Sequence, residues 1–501
     1  MRGRETGDTP AAPSTRSWAH FANRAAVAIE PMAGSRLREA TAGSTAGPAV
    51  GVFGHYGNQN LGDESIIAAV IQNLRRRVPD IRLYGMSSNP ADTRARHEIE
   101  SFAIRWSAVD ALSGAAAAPD RAIESGTQTV ARQQPSGFER IKEFFKGVPL
   151  LAGVLRGVRD LWRVVEGLYR EVVFLRRCIK FAKAIDLLFI AGSNQFLDNH
   201  GGAFAFPYTL FKWTVLAKAA GKKVALVSVG AGPLDGWASK LFVNGTIRLS
   251  DYCSVRDHGS RKLIQTLGRS LDPPVYPDLA YSLAVDRLRR PATRDGAAPC
   301  NIGINPMPVF DGRYWPVADA QRYRAYTQKL AIIARDLIDR QHSIIFFATQ
   351  KADDLVIQDV VGIMADCFGA EYRDRITTPR CLDLSSLLAL IAGLDLVVAT
   401  RFHGTVLSLL MERPVLGICY QVKTFEVMSC YGLEEYAVHV ETFEPNDVVE
   451  KIAALWQNRD AIAEDIIATN RTQRLALDEQ YERVLSLCLN LQIGEGHGRS
   501  G

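Results

Sequence analysis

Short apolar runs, each closed by a glycine-rich or polar turn and followed by a helical repeat, recur along most of this chain. Pro48–Gly54 (PAVGVFG) is the first such run and reads as a buried strand. It leads through HYGNQNLGDES into apolar positions at helical spacing from about Glu64 to Arg77. Ile81–Met86 and His97–Trp106 read as further strands. Strands at Asp186–Ala191, Lys223–Val229 and Cys253–Val255 then alternate with helices over about Phe204–Ala220, Trp237–Ser250 and onward to Leu267. Val275–Leu279 carries Asp278. A second set begins with strand Asn301–Asn305 and continues with helix Ala318–Arg340, strand Ser343–Ala348 and helices Asp353–Cys367 and Asp383–Ala392. Strand Leu394–Ala399, helix Gly404–Met411, strand Val415–Cys419 and a helical tail over about Asn446–Leu491 complete it.

Alternating buried strands and amphipathic helices predict parallel, doubly wound sheets. The expected fold class is α/β: two Rossmann-like domains facing across a cleft, as in the glycosyltransferase-B arrangement, with an inserted long amphipathic helix. The predicted boundaries are a tail over 1–47 and an N-terminal domain over 48–290 with a basic insertion near 138–183. A C-terminal domain over 298–445 and closing helices over 446–493 follow, with the linker in the aperiodic stretch Asp286–Cys300. The tail, rich in Ala, Gly, Ser and Arg, is expected to be disordered.

Composition narrows the picture. At 501 residues, 47% hydrophobic and 23% charged, the chain fits a globular protein of more than one domain. Eight Cys lie scattered without C-x-x-C spacing, which suits reduced packing residues of a cytoplasmic protein rather than a disulfide framework. No run is long and apolar enough for a spanning helix or a signal peptide. The net charge of +5 is concentrated: Phe138–Lys183 holds eleven Lys/Arg against five Asp/Glu, a net +6. Nucleic acid is therefore not the expected partner. Within this segment apolar residues recur at helical spacing from Leu151 to Val172, and the positions between them are largely cationic. A cover helix is one reading of it. Peripheral contact with an anionic membrane, at its inner face, is the other.

Candidate chemistry gathers at expected strand ends, the edge where open α/β sheets bind ligands. Arg401 and His403 stand between strand Leu394–Ala399 and the next helix, whose free N–H groups favour an anion. Lys423 follows the next strand. In the first domain, Asn60, Gly62 and Asp63 sit in a Gly/Asn-rich turn that is neither a Walker loop nor G-x-G-x-x-G. Each has a plain structural alternative: Asp63 as a helix cap, Arg401 and His403 as a capped helix with a core imidazole, Lys423 as a solvated cation.

The order Asn60-Leu61-Gly62-Asp63-Glu64, Gly192–Asp198 (GSNQFLD), Ser254–Asp257 (SVRD), Asp278, Arg401-Phe402-His403-Gly404, Pro414 and Lys423 resembles the polysaccharide pyruvyl transferase family. The resemblance covers roughly Val50–Val440. Ser193-Asn194 and Phe402 depart from it, where glycines and Leu are usual. It implies transfer of pyruvate from phosphoenolpyruvate to a sugar as a ketal, with no metal and no cofactor beyond that donor. A phosphate and a carboxylate call for two fixed guanidinium groups, assigned to Arg256 and Arg401. His403 suits protonation of the enol methylene, Asp63 or Asp198 suits removal of the sugar proton, and Lys423 would neutralise departing phosphate. Gly192 and Gly404 complete the expected substrate-binding set. The partners expected are phosphoenolpyruvate and a sugar acceptor, nucleotide-linked, lipid-linked or polymeric.

Two other functions stay open on the sequence. A nucleotide-sugar glycosyltransferase of the same fold gains from Glu426 and Glu434, spaced as in an E-x7-E signature. A non-catalytic component of a polysaccharide assembly complex would be expected to lose the cationic cluster, which is intact here.

Overall fold

The computed structural model describes residues 47–106, 169–199, 201–268, 270–286, 288, 300–315 and 317–491. Nearly all of the expected tail, residues 107–168 with most of the basic segment, and most of the linker lie outside the described residues.

The first sheet comprises β1 (Ala49–Phe53), β2 (Arg82–Ser87), β3 (Glu100–Ala103), β4 (Leu187–Ala191), β5 (Lys223–Val229) and β6 (Tyr252–Val255). All pairs are parallel and the order is β3-β2-β1-β4-β5-β6. The second comprises β7 (Asn301–Asn305), β8 (Ser343–Phe346), β9 (Ile376–Thr377), β10 (Leu396–Ala399), β11 (Val415–Cys419) and β12 (Ala437–His439). It is also parallel, in the equivalent order β12-β11-β10-β7-β8-β9. Strands such as β1 and β4 are buried along their whole length, which is why they read as continuous apolar runs rather than alternating ones.

Helix α1 (Leu61–Arg77) opens three residues earlier than its apolar periodicity suggests. Asn60 is its cap, accepting from Gly62 N, so Asp63 does not cap it. The expected strand His97–Trp106 is mostly something else. Helix α2 (Pro90–His97), capped by Asn89 and started by Pro90, occupies its beginning, and only Glu100–Ala103 joins the sheet. Val275–Leu279 is not a strand either. Val275 makes a single bridge to Val255, and Asp278 caps a 3-10 turn.

One face of the first sheet carries a helix over 169–184 (α3), α4 (Phe206–Ala219), α5 (Trp237–Leu249) and α6 (His258–Leu267). The second domain contributes α7 (Ala320–Asp339), α8 (Asp353–Phe368), α9 (Ala370–Asp374), α10 (Leu384–Ala392), α11 (Phe402–Leu410) and α12 (Val422–Cys430). The helical tail is two helices, α13 (Pro445–Gln457) and α14 (Arg459–Leu489), broken at Asn458. Helix α14 returns to the first domain. Gln480 accepts from Ser228 Oγ at 3.1 Å and donates to Ser254 Oγ at 2.8 Å, and Tyr481 stacks on Phe189 with ring centres 6.3 Å apart.

The two domains also meet beside the cleft. Leu61 N donates to Thr349 O at 2.9 Å, and Asn60 bridges Gln350. None of the eight Cys forms a disulfide. Among the described residues no helix is long and apolar enough to cross a membrane.

Candidate active site

Between the carboxyl edges of the two sheets lies a pocket of about 820 Å³. Its walls include Asn60, Asp63, Ser193, Asn194, Arg256, Tyr314, Arg401, Phe402, His403 and Lys423.

Arg256 stands one residue beyond β6 and is 8% exposed. Its Nη1 donates to Asp278 Oδ2 at 3.0 Å, and its Nε is buried without a hydrogen-bond partner. Arg401 leaves the end of β10 at the cap position of α11, yet makes no capping bond. Its guanidinium turns to Asp353, donating from Nε to Oδ1 at 2.7 Å, and to Tyr314 OH at 3.2 Å from Nη1. Each guanidinium is thus fixed by a buried carboxylate on its own domain, and the pair faces the same space from opposite sheets. A rigid planar fork is the donor geometry that carboxylates and phosphates accept bidentately.

His403 lies in the first turn of α11, 4.0 Å from Asp278 Oδ2, with Nε2 buried and without a hydrogen-bond partner. Burial, followed by the cations Arg256, Lys423 and Arg401, pushes its pKa down to about 4 against the pull of Asp278. The imidazole of the empty pocket is therefore neutral near pH 7. Burial pushes the Asp63 carboxyl up to about 7, although Arg256 opposes the shift. Asn60 Nδ2 donates to Asp63 Oδ2 at 2.7 Å. Lys423 is drawn down to about 7 by burial and then by Arg256. Three groups with displaced pKa values in one cleft mark it as a candidate for proton-transfer chemistry.

Phe402 explains how two cations share the cleft. Arg256 Cζ lies 4.7 Å from the centre of its ring and Lys423 Nζ 5.4 Å. The π face of Phe402 offsets part of their mutual repulsion, which an aliphatic residue would not do.

The glycines act by close approach. A Cβ on Gly62 would fall 2.3 Å from His403 Nδ1, so only glycine lets α1 of one domain meet the imidazole of the other. A Cβ on Gly404 would fall 2.0 Å from Asn305 Oδ1. Gly62 and Gly404 therefore shape the site without lining it. Gly192 passes its N–H to Val227 O at the end of β4 and does not line the pocket. Asp198 also stands apart. Its carboxylate accepts from Asp235 N at 3.1 Å and Gly236 N at 2.8 Å, ordering the turn before α5, and those N–H bonds outweigh desolvation to hold its pKa below the usual value. It is not placed to take a proton from a ligand.

The Glu426/Glu434 pair is likewise outside the pocket lining. Glu426 accepts from His258 N at 3.1 Å and Glu434 from Ser429 Oγ at 2.6 Å, and the chain turns between them at Gly432 with φ +66°. Asp353, Tyr314 and Asn305 were not singled out by sequence reasoning. The one signal available for Asp353 was an Asp opening a helix just beyond a strand end. Among the described residues no group of three or more His, Cys, Asp or Glu is arranged to hold a metal ion.

A family model described as polysaccharide pyruvyl transferase matches residues 60–421. The chain is similar to the amylovoran biosynthesis protein AmsJ of Erwinia amylovora, 20% identical over 315 residues, covering 60% of this chain and 73% of that one. Among solved structures it is similar in fold to a putative UDP-N-acetylglucosamine 2-epimerase from Listeria monocytogenes (TM-score 0.52, 9% identity, 90% of this chain and 99% of that one). The S. aureus MnaA–UDP co-structure is comparable (TM-score 0.50, 9% identity, 90% and 100%). At such identity these two likenesses bear on the fold alone, two Rossmann-like domains across a cleft.

Proposed function

The chain belongs to the polysaccharide pyruvyl transferase family, and from that premise we propose that it moves pyruvate from phosphoenolpyruvate onto two hydroxyls of a sugar as a ketal. One observation carries the reading: Arg256 and Arg401, each immobilised by a buried carboxylate, aim at one pocket that also holds His403. A ligand with two anionic ends fits such a pair better than a neutral sugar does.

The negative charge of phosphoenolpyruvate draws a proton onto the otherwise neutral His403. His403 gives that proton to the methylene carbon, and the electron-poor C2 accepts the oxygen of the first sugar hydroxyl. The hydroxyl proton passes to Asp63, whose pKa of about 7 suits an acceptor at neutral pH. The C2–O bond to phosphate then breaks, with Lys423 beside the leaving group and Asp63 returning its proton to the phosphate. The second hydroxyl closes the ketal, and its proton restores His403. The sum converts phosphoenolpyruvate and a diol to a ketal and hydrogen phosphate.

Release of inorganic phosphate from phosphoenolpyruvate, measured across a panel of saccharide acceptors, tests the reading. Acceptor-dependent release is expected, with His403→Gln at least about a hundredfold slower. Labelled nucleotide sugars serve as the opposing arm. Glycosyl transfer without phosphate release from phosphoenolpyruvate would replace the proposal with a glycosyltransferase.

A further inference from the structure

The rim of the pocket on the first domain carries an exposed apolar surface that the chemistry leaves unused. In a parallel α/β sheet the helices that precede β4, β5 and β6 begin at the strands' carboxyl edge, the edge of the pocket. The beginnings of α4 and α5 gather there, with the first described turn of α3 held beside them through Glu171. Phe204 is 76% exposed, Trp237 80%, Tyr169 69% and Leu241 61%, with Val172 and Val173 also exposed. They belong to one surface: the Phe242 ring meets Phe204 at 5.9 Å and Tyr208 at 5.7 Å, and Lys212 and Tyr208 of α4 both hold Glu171 of α3. Phe206, two residues beyond Phe204, lines the pocket itself. Single exposed apolar side chains need no explanation, but several large ones side by side do.

Charge identifies what covers them. The outward face of α3 is apolar over its first described turn and cationic over its last turns, where Arg176, Arg177, Lys180 and Lys183 are exposed. Among the described residues, Arg176, Lys180 and Lys183 take part in no ion pair. Glu171, the one acid among the described residues of this helix, points inward to Lys212 at 2.8 Å. On α5, Lys240 is exposed next to Leu241 and one turn from Trp237, and the exposed Asp235 precedes Trp237 by two residues. Aromatic side chains flanked by unpaired cations match the interfacial region of a bilayer that bears anionic headgroups. Since no described helix is long and apolar enough to span a membrane, the contact is with its surface.

We propose that Phe204, Trp237, Leu241 and the exposed Tyr169, Val172 and Val173 of α3 dock on an anionic membrane surface, so that the pocket opens toward the bilayer and receives its sugar acceptor on a lipid. The second half of this statement rests on the transferase reading above, and the first does not. With Phe206 at the boundary between pocket and apolar rim, a saccharide entering the pocket keeps its lipid-linked end at the membrane.

Co-sedimentation of the full chain with vesicles of phosphatidylcholine, alone or mixed with phosphatidylglycerol, tests the docking without any substrate. Sedimentation with the mixed vesicles only is expected, weakened by high salt. Trp237→Ser and Phe204→Ser should each lower partitioning about tenfold or more. Arg176→Glu and Lys180→Glu should each lower it about fivefold or more. Circular dichroism shows that these variants are folded. Equal binding to both vesicle types, or to neither, overturns the proposal. So does a vesicle-independent dimer that Trp237→Ser dissolves, since a second copy would then be the occupant. Loss of melting temperature in Trp237→Ser without any vesicle binding overturns it too, by showing the surface to be covered by the chain itself. Vesicle binding that persists while phosphate release fails with every acceptor leaves the docking intact and removes the transferase reading instead.

Discussion

Binding of phosphoenolpyruvate should take up protons, and by an amount that the pocket sets. At pH 7 the empty site holds Asp63 and Lys423 near half protonation, with pKa values of about 7 each, and His403 neutral, with its pKa at about 4. A unit negative charge roughly 4 Å away in a medium of effective dielectric ~20 is worth about 4 kcal/mol, or about 3 pKa units. Applied to His403 and Lys423, the two groups that the scheme sets against the donor anion, that shift carries Lys423 to full protonation and His403 to near half, while Asp63 faces the acceptor and stays ready to take its proton. The expected uptake is about 1 proton per ligand, against a release of only about 0.1 from the phosphate group, whose own second pKa lies near 6. The sign is the same for both groups. Each has a higher pKa in the complex than in the free protein, so affinity is fully developed below the free values and is lost as pH rises through the bound ones. Calorimetry at pH 7 in buffers of different ionisation enthalpy reads the number directly as a slope. His403→Gln should reduce it by about 0.5, as should Lys423→Met. A slope of zero, or one showing proton release, refutes the electrostatic account of this pocket.

Three further outcomes follow from single contacts. Gly62→Ala places a methyl group where the His403 ring lies; turnover should fall about a hundredfold while the melting temperature changes little, since alanine favours the helix. Asp63→Asn should stabilise the empty protein while removing activity. Its native carboxyl resists ionisation between its ordinary value and about 7, so the gain is absent near pH 4, grows across that interval and reaches on the order of 2–4 kcal/mol at pH 8, readable by chemical denaturation at the two pH values. Glu64 is buried and holds both Gly57 N at 2.8 Å and His97 Nε2 at 2.6 Å, which orders the loop carrying Asn58 and Asn60. Glu64→Gln should cost about 1–3 kcal/mol of stability and raise the Michaelis constant of the acceptor more than it lowers turnover.

The strands were legible wherever burial on both faces made the apolar run continuous. Lys223–Val229, Asn301–Asn305 and Val415–Cys419 have the expected ends to the residue. Short edge strands were not legible. Ile376–Thr377 and Ala437–His439 contain too few residues, only partly buried or exposed, to show a period. At the site, sequence order brought Arg256, Arg401, His403, Lys423 and Asp63 into consideration because each follows an apolar run, and all five line one pocket. Asp278 stood out, but the pairings that fix the two arginines were hidden by distance along the chain: Asp353 is 48 residues from Arg401, and Asp278 is 22 from Arg256. Asp198 misled because an acid after a Gly-rich turn has the same local pattern whether it faces a ligand or ties down the next loop. The charge states were not legible at all, since burial and not residue type sets His403 low and Asp63 high.

The return of α14 to the first sheet means that the chain passes between the domains twice, once before Cys300 and again within α14, where Asn470 still bonds Tyr431 and Leu409 of the second domain and Gln480 already bonds Ser254 of the first. Two covalent crossings restrict relative movement as two pins restrict a door. The domains can swing about the line joining the crossings, but cannot slide apart or twist freely. Closure over a ligand would then carry Arg401 and His403 toward Arg256 along one fixed arc. The same topology sets the order of assembly on the ribosome: the first domain's sheet is made early, but the Gln480 and Tyr481 contacts that finish it wait for nearly the last residues of the chain.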